Sequence, residues 1–236
     1  MQKVDIVPDL KKKIEDEFED LIKDDEVLFQ LAEKMKTKNA SYIDADLYAQ
    51  RIGELSSKSL LKHLTPDSLP DGTMYFNIGN RVLTPALQRD YELISDVCVE
   101  VQESLNEAAR IGIKSQRAPF DTDRAKGFVD RASSEPLDDI QWLLDGPVKT
   151  FCQSVVGDHM EANAEFQKLA GLSPKIIRKT DGKCCKWCSR MAGVYDYSPD
   201  MNRDVFRKHE DCSCTVEYDP GDGSKRRQNV WEKTWK

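Results

Sequence analysis

Three cysteines, Cys184, Cys185 and Cys188, fall in the stretch GKCCKWCSRMAGVYDY (182–197), and two more, Cys212 and Cys214, follow in RKHEDCSCTVEYDP (207–220) beside His209. Thiolate and imidazole groups suit a zinc ion, which takes four such ligands in a tetrahedron. Cys185 and Cys188 form a C-x-x-C, the spacing of a tight knuckle whose two sulfurs converge on one centre. Cys212 and Cys214 stand two apart, so on an extended strand both side chains face the same side. The candidate ligands are therefore Cys185, Cys188, His209, Cys212 and Cys214, of which four are expected to bind one structural Zn2+. Cys185, Cys188 and Cys214 are the favoured three, with Cys212 or His209 as the fourth, and Cys184 is read as a bystander.

The same groups could support other chemistry. A disulfide between the two clusters requires an oxidising compartment. A thioredoxin-like role requires a C-x-x-C at a helix start after a strand within a βαβ unit, and the sequence does not suggest one here. A Cys188–His209 nucleophile pair does not call for five clustered cysteines. No P-loop, H-E-x-x-H, dinucleotide fingerprint or Ser-His-Asp order occurs, so no catalytic residue is assigned and the chain is read as not an enzyme. Met191, Val194, Tyr195, Tyr197, Val205 and Phe206 are too few apolar side chains for a core of their own. A structural zinc supplies on the order of 10 kcal/mol to such a module.

The segments that must position this module are mainly helical. Leu10, Ile14, Phe18, Leu21 and Ile22 recur at helical spacing after Pro8. The pattern pauses at Asp24–Asp25 and resumes through Leu28, Leu31, Ala32 and Met35. A second helix, capped near Ser41 or Asp44, carries Tyr48, Ile52, Leu55 and Leu60 inward. TPDSLPDGTMYFNIGN (65–80) reads as a loop with room for one short strand. Thr84 and Pro85 read as the cap and first residue of a helix whose stripe runs through Leu87, Tyr91, Ile94, Cys98, Val101, Leu105 and Ala108. That stripe is expected to be bundle core rather than a surface for another subunit. Residues 114–135 read as a loop plus a short helix, and LDDIQWLL (137–144) as a helical stretch broken at Gly146–Pro147. A last long helix places Val148, Phe151, Val155, His159, Ala162, Phe166 and Leu169 on one stripe and stops at Gly171. His159 is expected to be a hydrogen-bonded core histidine, and Cys98 and Cys152 small buried hydrophobes.

The fold class is thus mainly α: a bundle-like region of long helices over residues 1–175, then a small α+β, zinc-knuckle-like Cys/His module over 176–236. The net charge of −7 divides unevenly: the module carries 13 Lys and Arg against 10 Asp and Glu, and the helical part is strongly acidic. An acidic body argues against broad DNA coating. In the tail GSKRRQNVWEKTWK (223–236), Lys225, Arg226 and Arg227 beside Trp231 and Trp235 offer a weak, salt-sensitive contact with DNA. The favoured alternative packs Trp231 on the module and leaves the cations in solvent. No apolar run approaches the roughly 18 residues of a membrane span, and MQKVDIVPDLKKKIEDEF has no apolar signal core. Folding in a reducing cytosol, away from membranes, is expected.

The pattern from Lys183 to about Trp231 resembles the C-terminal end of tailed-phage minor head proteins of the Mu-type head morphogenesis family, found in phages and prophages of Gram-positive bacteria. The shared residues are the C-x-x-C, the Met191–Ala192–Gly193 step, and H-x-x-C-x-C followed by a polar, Gly-rich end. The helix leading into Cys184 and Cys185 and, less specifically, residues 74–106 also resemble the family. The resemblance implies a non-enzymatic structural protein that associates with portal and inner capsid proteins in few copies. It would act in head assembly, DNA packaging or ejection, first in the bacterial host cytoplasm and then in the virion head, where it meets packaged DNA. A small zinc-stabilised enzyme or toxin using His209, Glu210 and Asp211, or a nucleic-acid-binding zinc module, is the alternative.

Overall fold

The computed structural model describes residues 5–180, 182, 184–209 and 214–221. Helix α1 (Val7–Lys23) starts with Pro8 in its first turn, where a missing N–H costs nothing, and buries Leu10, Ile14 and Phe18. The chain breaks at Asp24–Asp25 because Asp25 caps the next helix, its Oδ1 accepting the Leu28 N–H at 3.0 Å. Helix α2 spans Glu26–Lys36. Helix α3 (Tyr42–His63) opens with a reciprocal Ser41–Asp44 capping box. It lies at the centre of the bundle, packed against α1 and two later helices, and presents Ala45, Ala49, Ile52, Leu55 and Leu60 to the core.

The next helix corrects the sequence reading. Two short 3-10 turns, Pro66–Ser68 and Pro70–Gly72, are followed by α4, which begins at Phe76 and runs unbroken to Ala108. Thr84 and Pro85 lie inside it; the Thr84 hydroxyl pairs with the Asn80 side chain at 3.2 Å rather than capping. Burial of Ile78, Val82 and Leu83 extends the apolar stripe upstream. At about 1.5–3 kcal/mol for each large apolar side chain, that burial offsets the roughly 3 kcal/mol cost of an interior proline. Gly79, inside the stretch read as a loop, serves packing: a Cβ there would meet Val129 Cγ1 at 3.3 Å. No strand forms in residues 65–80, only an isolated bridge between Thr73 and Pro136. Downstream, Leu87, Ile94, Cys98 and Val101 are buried inside the chain, as a bundle core requires.

Asp121 caps α5 (Thr122–Ala132), its Oδ1 accepting the Arg124 N–H at 2.8 Å. Helix α6 (Leu137–Ile140) and a 3-10 turn (Gln141–Leu144) lead to α7 (Gly146–Leu169). Helix α7 ends in a left-handed Gly171 (φ 84°). There Gly171 N–H bonds Lys168 O at 3.0 Å and Leu172 N–H bonds Gln167 O at 2.9 Å, a Schellman closure. The expected α7 stripe holds only to His159. Beyond it Asn163, Ala164 and Gln167 face inward, while Phe166 and Leu169 are 42% and 78% exposed. A 3.5-residue repeat drifts against a 3.6-residue helix, and over this length the buried face moves round by about one residue.

Three short strands, β1 (Lys175–Lys179), β2 (Gly193–Asp196) and β3 (Thr215–Asp219), form an antiparallel sheet in the order β2-β1-β3. Ile176 pairs with Tyr218 and Arg178 with Val216. Ile176, Val216 and Tyr218 join the same apolar core as α1, α3, α4 and α7, so the core runs unbroken across residue 175. A buried polar chain also crosses it. Tyr42 Oη donates to Gln102 Oε1 (2.9 Å), and Gln102 Nε2 and Gln167 Nε2 both donate to Asn106 Oδ1 (2.8 and 2.7 Å). Tyr218 Oη then donates to Gln167 Oε1 (2.7 Å). Low local dielectric strengthens such bonds once each is made.

Candidate metal centre

After β1 the chain turns into a six-residue helix, α8 (Lys186–Met191), and Cys185 is its N-cap. The C-x-x-C therefore does open a helix after a strand, contrary to the sequence reading. The neighbouring strands are antiparallel, however, so no βαβ unit surrounds it. The helical turn folds Cys188 back over Cys185, whose Sγ accepts the Cys188 N–H at 3.5 Å. That N–H is the largest of the influences that draw the Cys185 thiol down to about 7; His209 adds to it, while burial works the other way.

His209 arrives from the loop after the 3-10 turn Arg203–Val205. Its Nε2 lies 3.2 Å from Cys185 Sγ and 3.0 Å from Cys188 Sγ. The three ligand atoms all lie within 4.8 Å of one another. Zn–S bonds of ~2.3 Å and a Zn–N bond of ~2.0 Å at a tetrahedral angle separate sulfur and nitrogen by about 3.5 Å. The two sulfurs and one imidazole thus match a thiophilic divalent ion in both donor type and spacing. Such an ion would cross-link α8 to the 203–209 segment. Trp187 stands edge-on to the His209 ring, with centroids 5.9 Å apart.

Of the other candidates, Cys214 is buried immediately before β3 and is not part of this group of three. It is tied to the group through Arg178, whose Nη2 donates to Cys214 Sγ at 3.0 Å and to Cys188 Sγ at 3.6 Å. Cys212, with Glu210 and Asp211, lies outside the described residues, as does the tail with Lys225, Arg226, Arg227, Trp231 and Trp235. Cys184 is not in the group either; its Sγ is 3.6 Å from Ser189 Oγ. Cys98 and Cys152 are fully buried and burial pushes both thiols up, as expected of packing residues. His159 is a core residue with Nδ1 donating to Val155 O at 2.8 Å, and burial lowers it to about 4.

Two features escaped the sequence reading. Arg178 carries a cation at an inward strand position, a break in alternation visible only once KIIRK is known to be a strand. The second is a cleft of about 410 Å³ adjoining one of about 220 Å³, with Asp121, Asp158, Glu161 and Arg203 in both walls. The cleft walls hold Asp158 partly away from water and push its carboxyl up to about 6; Arg124 opposes this, and Asp121 and Glu161 add to it. None of the three metal-ligand candidates lines either cleft. No described helix is long and apolar enough to cross a membrane. No protein family, curated protein or solved structure matches this chain.

Proposed function

We propose that this chain is a non-enzymatic minor head protein of a tailed phage, placed with the portal or inner capsid and acting in head assembly, DNA packaging or ejection. One structural zinc ion would hold its C-terminal module. The observation that carries the reading is the convergence of Cys185, Cys188 and His209, drawn from the two motifs that resemble the family, to within 4.8 Å. A structural role for the ion is supported by where the donors sit. They are anchored to a module continuous with the helical core, and the cleft of about 410 Å³ is lined by other residues. A catalytic zinc keeps a position open to water and substrate, whereas a structural one is closed by four protein ligands.

The test is to purify virions or proheads from a host carrying the coding sequence with portal and terminase genes. The chain should be found in the particles by antibody and should co-purify with the portal. Particles that lack it, with unchanged infectious yield when it is deleted, would overturn the assignment. Elemental analysis of protein purified without chelator should give about one zinc per chain.

A further inference from the structure

Arg178 is 1% exposed, at a position of β1 whose neighbours on the same face, Ile176 and the cross-strand Val216, are apolar. Its Nη1 donates to three backbone carbonyls, Asp204 O (3.1 Å), Val205 O (2.8 Å) and Arg207 O (2.6 Å). Its Nη2 donates to Cys214 Sγ (3.0 Å) and Cys188 Sγ (3.6 Å), and Cζ lies 5.1 Å from the Trp187 ring centroid. Among the described residues no carboxylate contacts it, and Nε has no partner. A guanidinium keeps its charge at any working pH. Burying one without a carboxylate is costly unless other negative charge lies beside it.

We propose that Arg178 is the positioning residue of the metal centre, and this rests on the metal reading above. One planar, rigid group on β1 sets the places of three segments at once. The carbonyls of 204, 205 and 207 fix the loop that delivers His209. The two sulfur contacts fix Cys188 on α8 and Cys214 at the start of β3. A metal-bound cysteine sulfur is an anion, so the N–H donors aimed at sulfur orient the ligand and offset its charge. The ion served is a divalent, thiophilic one of the zinc class. Lysine cannot take this role, because a single ammonium does not span both the carbonyls and the sulfurs.

The test compares the full-length chain with Arg178→Met, Arg178→Lys and, as a control, Tyr218→Phe, which loosens the sheet-to-bundle contact without touching the centre. Zinc affinity is measured by competition with a chromophoric chelator, and the ligand field by the visible spectrum of the cobalt(II)-loaded protein. Arg178→Met is expected to bind zinc about 10- to 100-fold more weakly with an altered cobalt spectrum, and Tyr218→Phe to match wild type in both. Should Arg178→Met fail to fold, Arg178→Lys decides: about tenfold weaker binding with a shifted spectrum supports the role. Wild-type affinity and spectrum in either folded Arg178 variant overturns it while leaving the metal reading intact. A wild-type chain that binds neither zinc nor cobalt overturns both.

Discussion

Lys208 Nζ lies 2.5 Å from Asp46 Oδ2, so the residue before His209 is ion-paired to α3, and the two side chains are only 7% and 10% exposed. Asp46 also accepts from Gln50 Nε2 at 2.6 Å. Breaking a shielded pair leaves one charge without a partner, at about 3–5 kcal/mol, whereas an exposed pair contributes under about 1 kcal/mol. Lys208→Met is therefore expected to lower the unfolding free energy by about 3 kcal/mol in urea titrations. The Lys208→Met, Asp46→Leu double variant should recover part of that loss. A single-variant loss below about 0.5 kcal/mol would show that the pair is solvated.

Removal of the metal or its ligands should act locally first. Cys185→Ser and Cys188→Ser are expected to abolish zinc in elemental analysis and to open the segment after residue 180 to limited proteolysis. Cys184→Ser should retain zinc and resistance, since its sulfur is not among the converging ligand atoms. Wild-type protein that resists protease equally well after chelation would contradict the structural role of the ion.

Asp158 and His159, neighbours on α7, should give stability opposite slopes with pH. The Asp158 carboxyl is raised from its ordinary 3.8 to about 6. Its contribution is full below about pH 4 and is lost as pH rises through 6. His159 is lowered from 6.5 to about 4, so its contribution is full above 6.5 and is lost as pH falls through 4. Asp158→Asn should therefore raise stability at pH 7 and leave a curve that climbs from pH 4 to 6.5. Denaturant midpoints across that range provide the measurement; an unchanged curve would place Asp158 in bulk water.

At Gly53, α3 lies close against α7: a Cβ there would lie 2.8 Å from Lys149 Cα. In a free helix Gly→Ala gains about 1 kcal/mol, but overpacking against backbone costs about 1–3 kcal/mol. Gly53→Ala should thus lower the melting temperature. An increase would mean that the helices part without penalty.

Signals carried by one local segment were legible in the sequence, and those made by assembly were not. The Ser41–Asp44 box, the Gly171 stop and the Cys185–Cys188 knuckle each depend on a few adjacent residues. The start of α4 was misread because Thr84–Pro85 reads as a cap and first turn in isolation, whereas burial of Ile78, Val82 and Leu83 carries the helix back to Phe76. Arg178 was missed because its acceptors lie 10 to 36 residues downstream and its strand has only five residues. The Asp158 cleft takes walls from α5, α7 and the 203–207 segment, and no window along the chain contains all three.

The buried chain from Tyr42 through Gln102, Asn106 and Gln167 to Tyr218 also sets an order of events during synthesis. Gln167 Oε1 can accept the Tyr218 hydroxyl hydrogen bond only after β3 has left the ribosome. Until then the bundle holds an amide acceptor, and the groove awaiting Ile176, Val216 and Tyr218, open to water. Long-range closure of this kind is slow, and open apolar surface invites association. A nascent chain with its helices made and β3 not yet free therefore leaves this acceptor and this groove exposed.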